Sequence, residues 1–182
     1  MKKIIIGLFV VSSLLFSAAG VRAEDHSIST IQGTQVDLKV YDHAIAGQIR
    51  DFVIFGALDE STGISELTMK RDGQLVRAAF SRDPSTGKFG GLIRHEDQRK
   101  QTYETKLQFV KLDKAKNVFT FLVNDQVIEV RVTFDAFANN HYLNPTYRTE
   151  VHGKSLEFTL KGSACYNFSA HLNFMILGAL LH

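Results

Sequence analysis

The stretch whose residue types could do chemistry is residues 135–145, DAFANNHYLNP, which interrupts the alternating pattern on either side of it. It contains Asn139, Asn140, His141 and Tyr142 in succession. Side chains of these types hydrogen-bond to ligands and stack on them in loops held by a rigid sheet. We therefore predict a ligand-binding site at these four residues. The alternative is a surface loop in which the two asparagines serve only turn geometry.

A catalytic role would need an acid–base pair, and His141 with Asp135 is the first candidate for one. Histidine titrates near neutral pH, and a carboxylate can orient its ring. The other histidines do not follow the HExxH or Cys–His spacing of metal sites. The chain also lacks a glycine-rich phosphate loop and a nucleophile elbow. We therefore expect no catalytic residue, no cofactor and no metal, and an enzyme is the lesser hypothesis.

Cys165 is the single cysteine of the chain. In an oxidising compartment it cannot close an internal disulfide, so packing alone must hold the fold. We expect a small buried side chain within the sheet, because free cysteine behaves as a small hydrophobic residue. The alternative is a reactive thiol or a covalent link between two copies, which leaves a homodimer open.

Residues 1–23 have the pattern of a secretory signal peptide. Lys2 and Lys3 supply the charged start, an apolar stretch follows over residues 4–16, and the small side chain of Ala23 suits cleavage on its carboxyl side. The apolar stretch is short for a membrane anchor. We therefore expect export from a bacterial cell, to the periplasm or to the outside.

Residues 24–182 have the length of one ordinary domain. The segment before them holds basic residues and no acidic one, so its removal turns the formal net charge of +2 into a small negative charge. Nucleic acid is therefore not an expected partner, because no basic footprint remains. After cleavage we expect no membrane contact either, and the partner is an unidentified ligand or protein.

These residues are organised as strands, and residues 117–134 show the pattern most clearly. Asn124 and Asp125 tolerate the backbone angles of a tight hairpin turn. After the turn, apolar and polar side chains alternate with the period of a strand. The face predicted to be buried consists of Ile128, Val130, Val132 and Phe134.

Further hairpins are predicted around Asp72-Gly73 and Gly153-Lys154. Residues 48–58 are apolar on both faces and read as one covered strand. The apolar stretch over residues 172–181, LNFMILGALL, predicts a buried terminal strand. A short helix is the alternative, because Leu, Met and Ala favour helix. The fold class is thus all-β, an antiparallel meander of about nine or ten strands closed as a β-sandwich or a β-barrel.

The leading functional hypothesis is an exported, non-catalytic binding or structural module at the cell envelope or outside the cell. A small outer-membrane β-barrel is one alternative, although the chain has no Trp and only five Tyr for the aromatic girdles of such barrels. A lipocalin-like carrier is the other. Its apolar interior would be built from Phe52, Phe109, Phe121 and Phe174.

Residues 24–182, expressed without detergent, are expected to give a β-type circular dichroism spectrum and one cooperative thermal transition, because a soluble single domain unfolds in that way. Aggregation in buffer, with β structure recovered only in micelles, would instead favour the outer-membrane barrel.

Overall fold

The segments with alternating residues form β-strands that pair with one another, and a helix follows them. The computed structural model describes residues 28–42, 44–59, 64–72, 74–83, 85–86, 88–96 and 102–181. The predicted signal peptide and Gly73 of the predicted hairpin turn lie outside these residues. The elements are β1 (Ser29–Gly33), β2 (Val36–Val40), β3 (Ala44–Ile49), β4 (Phe52–Asp59), β5 (Ile64–Arg71), β6 (Gln74–Arg82), β7 (Phe89–Glu96), β8 (Thr102–Asp113), β9 (Val118–Val123), β10 (Gln126–Thr133), β11 (Ala136–Ala138), β12 (His141–Leu143), β13 (Thr146–Val151), β14 (Lys154–Lys161), β15 (Ser163–Cys165) and α1 (Tyr166–Leu180).

Twelve of these strands form a closed antiparallel barrel. Each of β1 to β9 pairs with the next strand in sequence, β13 continues the wall from β10, and β14 closes it against β1. The all-β prediction is confirmed, and of its two alternatives the barrel is the one formed. Closure leaves the wall without the open edge at which sheets aggregate.

The β9–β10 hairpin matches its prediction. Asn124 and Asp125 have positive φ angles of 44° and 68°, as a tight two-residue turn requires. Ile128, Val130 and Val132 are buried, and Phe134 packs partly buried against the same core. The β13–β14 turn lies one residue earlier than predicted, since the positive φ angles are those of His152 and Gly153.

The single covered strand predicted over residues 48–58 is wrong. The chain reverses at Arg50 and Asp51, so that β3 ends at Ile49 and β4 begins at Phe52. Arg50 takes a φ angle of 53°, which is uncommon for a residue other than Gly, Asn or Asp. The sequence therefore carries no ordinary turn signal at this point.

The terminal strand predicted over residues 172–181 is also wrong, because α1 runs through this stretch. Every residue from Ser169 to Leu180 is buried. A helix inside a barrel contacts the wall on all sides, so its sequence is apolar all round and lacks the one-sided pattern of a surface helix. That uniform pattern is what made the stretch resemble a covered strand.

The helix fills a space that the wall leaves open, since a barrel widens as strands are added and side chains from the wall no longer reach its axis. Phe174 packs against the rings of Phe80, Phe89 and Phe121, with centroids 5.2, 4.7 and 5.2 Å away. A methyl group built on Gly178 would lie 2.8 Å from Ile93 Cδ1. A larger residue at this position would therefore require the Ile93 side chain to move.

Each end of α1 is held by side-chain contacts. At its start, Cys165 Sγ accepts a hydrogen bond from the Phe168 amide at 3.3 Å. At its end, Arg50 Nη1 donates to the Leu180 carbonyl oxygen at 3.1 Å, and Arg50 Nε donates to Gln35 Oε1 at 2.8 Å. A cation beside the last carbonyl groups is favourable both as a donor and against the helix dipole.

Leu177→Ala is expected to lower the free energy of unfolding by about 3 kcal/mol, because it removes a buried side chain and leaves a cavity. Leu75→Ala makes the same substitution on the outside of β6, where the side chain is 50% exposed, and should change it by less than about 0.5 kcal/mol. Urea denaturation measures both. Equal losses would contradict the placement of α1 inside the barrel.

Candidate functional site

A second, three-stranded sheet lies outside the barrel wall and carries the predicted site. It consists of β11, β12 and β15 and is called the end sheet below. In its register His141 lies opposite Cys165, and Tyr142 lies between Phe137 and Ala164. The end sheet thus joins the predicted ligand-binding residues to the start of α1.

Asn139 and Asn140 form the turn between β11 and β12. Their φ angles of 52° and 62° are those of a tight hairpin turn, which Asn adopts readily. The Asn139 carbonyl oxygen lies 2.7 Å from His141 Nδ1. A carbonyl only accepts, so Nδ1 carries the proton and Nε2 of a neutral ring is free to accept.

Tyr142 points away from solvent and is 1% exposed. Its ring packs against Phe134, Phe137 and Tyr166, with centroids 4.8, 5.2 and 5.2 Å away. Burial raises the pKa of its hydroxyl above the usual value. Among the described residues this hydroxyl has no hydrogen-bond partner. Tyr142 therefore anchors the end sheet on the first turn of α1.

His141 and Cys165 line a small hollow, called the rim pocket, where the end sheet meets β2 and β14. Its volume is about 260 Å³. Cys165 is half-buried at the end of β15, so the prediction of a sheet position is confirmed while the prediction of full burial is wrong. The lining residues are Ile28, Ser29, Val40, Tyr41, Asp42, His141, Leu160, Gly162, Ser163, Cys165 and Phe168.

Asp135 and His141, the candidate acid–base pair, make separate contacts. Asp135 Oδ2 accepts from Asn144 Nδ2 at 2.8 Å, whereas the His141 ring contacts Asn139. Asn144 also binds Gly162. Its backbone amide donates to the Gly162 carbonyl oxygen at 2.7 Å, and its Oδ1 accepts from the Gly162 backbone amide at 2.8 Å. Sequence reasoning missed this role of Asn144, which ties β12 to the link between β14 and β15.

A buried polar cluster inside the barrel was also missed by sequence reasoning. His171 Nδ1 is hydrogen-bonded to Ser65 Oγ, and the imidazole centroid lies 4.2 Å from that of the Phe89 ring. Burial, with a smaller contribution from the Arg82 charge, lowers the pKa of His171 to about 4. A single histidine within an apolar run was the only signal for this cluster.

Comparison of the chain with protein-family models, with curated proteins and with solved structures finds no match. Within the described part of the chain, no helix is long and apolar enough to cross a membrane. The described residues also contain no group of three or more His, Cys, Asp or Glu side chains placed to hold a metal ion.

The stability of the fold is expected to fall in mild acid because of His171. Its pKa is about 4 when folded, against 6.5 as the ordinary value, so between these pH values the unfolded chain binds a proton that the folded one does not. The free energy of unfolding has its full value above about pH 6.5 and decreases by about 3 kcal/mol as the pH approaches 4.

Urea denaturation at several pH values tests this expectation. His171→Asn retains a hydrogen-bonding group beside Ser65 and should flatten the decline. His141→Asn changes an exposed histidine and should leave the decline as in the wild type. A decline that persists in His171→Asn would show that other groups cause it.

Proposed function

We propose that the protein is an exported, non-catalytic binding module that recognises its ligand on the outside of the barrel, with the rim pocket as the binding surface. The observation that carries this proposal is the position of α1. Because the helix occupies the barrel interior, the surfaces left for recognition are the wall and the rim. The rim pocket is lined by His141, Tyr41 and Ser163, whose side chains are of hydrogen-bonding types.

The filled interior argues against a lipocalin-like carrier. Phe52, Phe121 and Phe174 are buried in the core, and Phe109 packs partly buried against it. The Phe121 ring lies 5.7 Å from that of Phe109 and 5.2 Å from that of Phe174. Phe109, Phe121 and Phe174 therefore pack on one another, and an apolar ligand would have to displace α1 to reach them.

The outward side chains of the wall favour contact with water over contact with lipid. A membrane barrel presents an apolar band to the bilayer, and charges within that band are costly. Here exposed charged residues alternate with the buried ones on most strands of the wall. Examples are Asp37, Lys39, Glu66, Lys70, Arg77, Arg94, Glu104, Lys106, Glu129, Arg131, Arg148 and Glu157.

Export is supported by the sequence of residues 1–23, since a charged start, an apolar stretch and a small residue before the cleavage point together form a secretory signal. The fold is compatible with an oxidising compartment, because it is held by packing and its single cysteine is free in the described structure. The site of action that follows is the periplasm or the cell exterior.

The full chain, expressed in a Gram-negative host and released by osmotic shock, is expected to begin at Glu24 by intact mass. Titration with N-phenyl-1-naphthylamine should give no saturable fluorescence increase, because α1 excludes this apolar probe from the barrel. Phe174→Ala is the matched control, since the apolar cavity that it opens is about the size of the removed ring and should bind benzene in calorimetry, whereas the wild type should not. Leu177→Ala serves the same purpose if the first variant fails to fold.

Stoichiometric probe binding by the wild-type protein would overturn recognition on the outside and support the carrier. A product that keeps residues 1–23 and stays with the membrane fraction would overturn export as a soluble domain.

A further inference from the structure

A row of outward residues crosses β5 to β8 at one level of the wall, and two of its members carry the same charge. In the strand register Thr68 lies opposite Arg77, Arg77 opposite Arg94, and Arg94 opposite Glu104. Both arginine side chains are exposed. Like charges directly opposite one another on neighbouring strands are destabilising, so the Arg77–Arg94 pair has an electrostatic cost.

Only one of these arginines has its charge compensated. Arg94 Nε donates to Glu104 Oε1 at 2.7 Å, and its terminal nitrogens take no part in that ion pair. Arg77 forms no hydrogen bond or ion pair with any residue that the structure describes. Several guanidinium donors on adjacent strands are therefore open to an anion.

The two arginines border a depression in the wall of about 640 Å³, called the wall hollow. Its floor is apolar and shallow because Ala79 and Leu92 lie opposite each other on β6 and β7. Glu66 lies on the far side of Ala79. Beyond Leu92 the wall hollow adjoins a second groove of about 860 Å³, in which Lys106 is the cross-strand neighbour of Leu92.

We propose that Arg77 and Arg94 bind a single oxyanion group, a carboxylate or a phosphate, on a small ligand whose apolar part lies over Ala79 and Leu92. Guanidinium groups bind such oxyanions through paired, charge-assisted hydrogen bonds. An anion between the arginines replaces their repulsion with two attractions. Glu66 disfavours a second negative charge at the opposite end, so the site suits a ligand with one anionic end.

This site is distinct from the rim pocket and goes beyond the function proposed above, since it shares none of its lining residues. The two can therefore be tested separately.

The wall contains a matched control for the arginine pair. Arg131 lies opposite Arg148 on β10 and β13, and Arg148 is ion-paired with Glu157, so the arrangement of charges is the same. Neither Arg131 nor Arg148 lines the wall hollow or the groove beside it. If Arg77→Gln weakens anion binding only by removing a charge, Arg131→Gln must weaken it equally. If Arg77 belongs to a binding site, only Arg77→Gln weakens binding.

Isothermal titration calorimetry of the full mature protein at low ionic strength, with inorganic phosphate, phenyl phosphate and benzoate, tests the site. Arg77→Gln is expected to weaken binding about tenfold, the loss of one charge-assisted contact, and Arg131→Gln less than twofold. Phenyl phosphate should bind more tightly than inorganic phosphate, and Leu92→Ser should remove that difference. Whichever of phenyl phosphate and benzoate binds more tightly shows whether the site prefers a phosphate or a carboxylate.

The melting temperature gives an independent readout. Because Arg77→Gln removes a repulsion, the melting temperature of this variant should equal or exceed that of the wild type. Equal weakening by Arg77→Gln and Arg131→Gln, or no saturable binding of any of the three probes, would overturn the proposal. A lower melting temperature for Arg77→Gln would overturn it too, since Arg77 would then be stabilising the fold.

Discussion

The packing of α1 against the inside of the wall is the interaction on which the rest of this structure depends. A barrel of this width is too wide to be filled from the wall alone, and an apolar lumen accepts only a segment whose backbone groups are already paired. A helix satisfies both conditions. The packing of α1 also favours small wall residues where the helix comes close. At Gly56, for example, an added methyl group would lie 2.6 Å from the Met175 sulfur.

Polar groups inside the barrel follow from the same packing. Ser169 Oγ is hydrogen-bonded to the Tyr147 hydroxyl at 2.7 Å, and Asn173 Nδ2 donates to the Ser169 carbonyl at 2.8 Å. Each such pair offsets the cost of removing its members from water. They lie in the first half of α1, near the end sheet. The second half is apolar, and its last residue, Leu180, accepts a hydrogen bond from Arg50. The bonds from Ser169 to Tyr147 and from His171 to Ser65 join the helix to the wall, so they favour one depth of the helix within the barrel.

The sequence was informative wherever structure is set by neighbours along the chain. Alternation placed Ile128, Val130 and Val132 on the buried face, and Asn124-Asp125 predicted its turn. Local signals fail where the deciding contact is distant. The turn at Arg50 is held by Gln35 and Leu180, and residues 174–180 of the helix are apolar all round because the wall surrounds them. The proximity of His141 to Cys165 depends on β15 pairing with β12, which no local pattern reports.

The rim and the wall differ in how far their polar groups are already satisfied. Asn139 and Asn140 shape a turn, Asn144 binds Gly162, and Tyr142 packs into an aromatic cluster, so most of the predicted loop is explained by folding alone. On the wall, Arg77 lies opposite a like charge and has no compensating partner among the described residues, and folding gives no reason for it. Because Arg77 points outward between the buried Val76 and Ala78 on β6, its charge can serve recognition without affecting the packing around α1. Arg131 and Arg148 carry the same charges but line neither the wall hollow nor the groove beside it, so the hollow is what supports an anion as the proposed partner of Arg77.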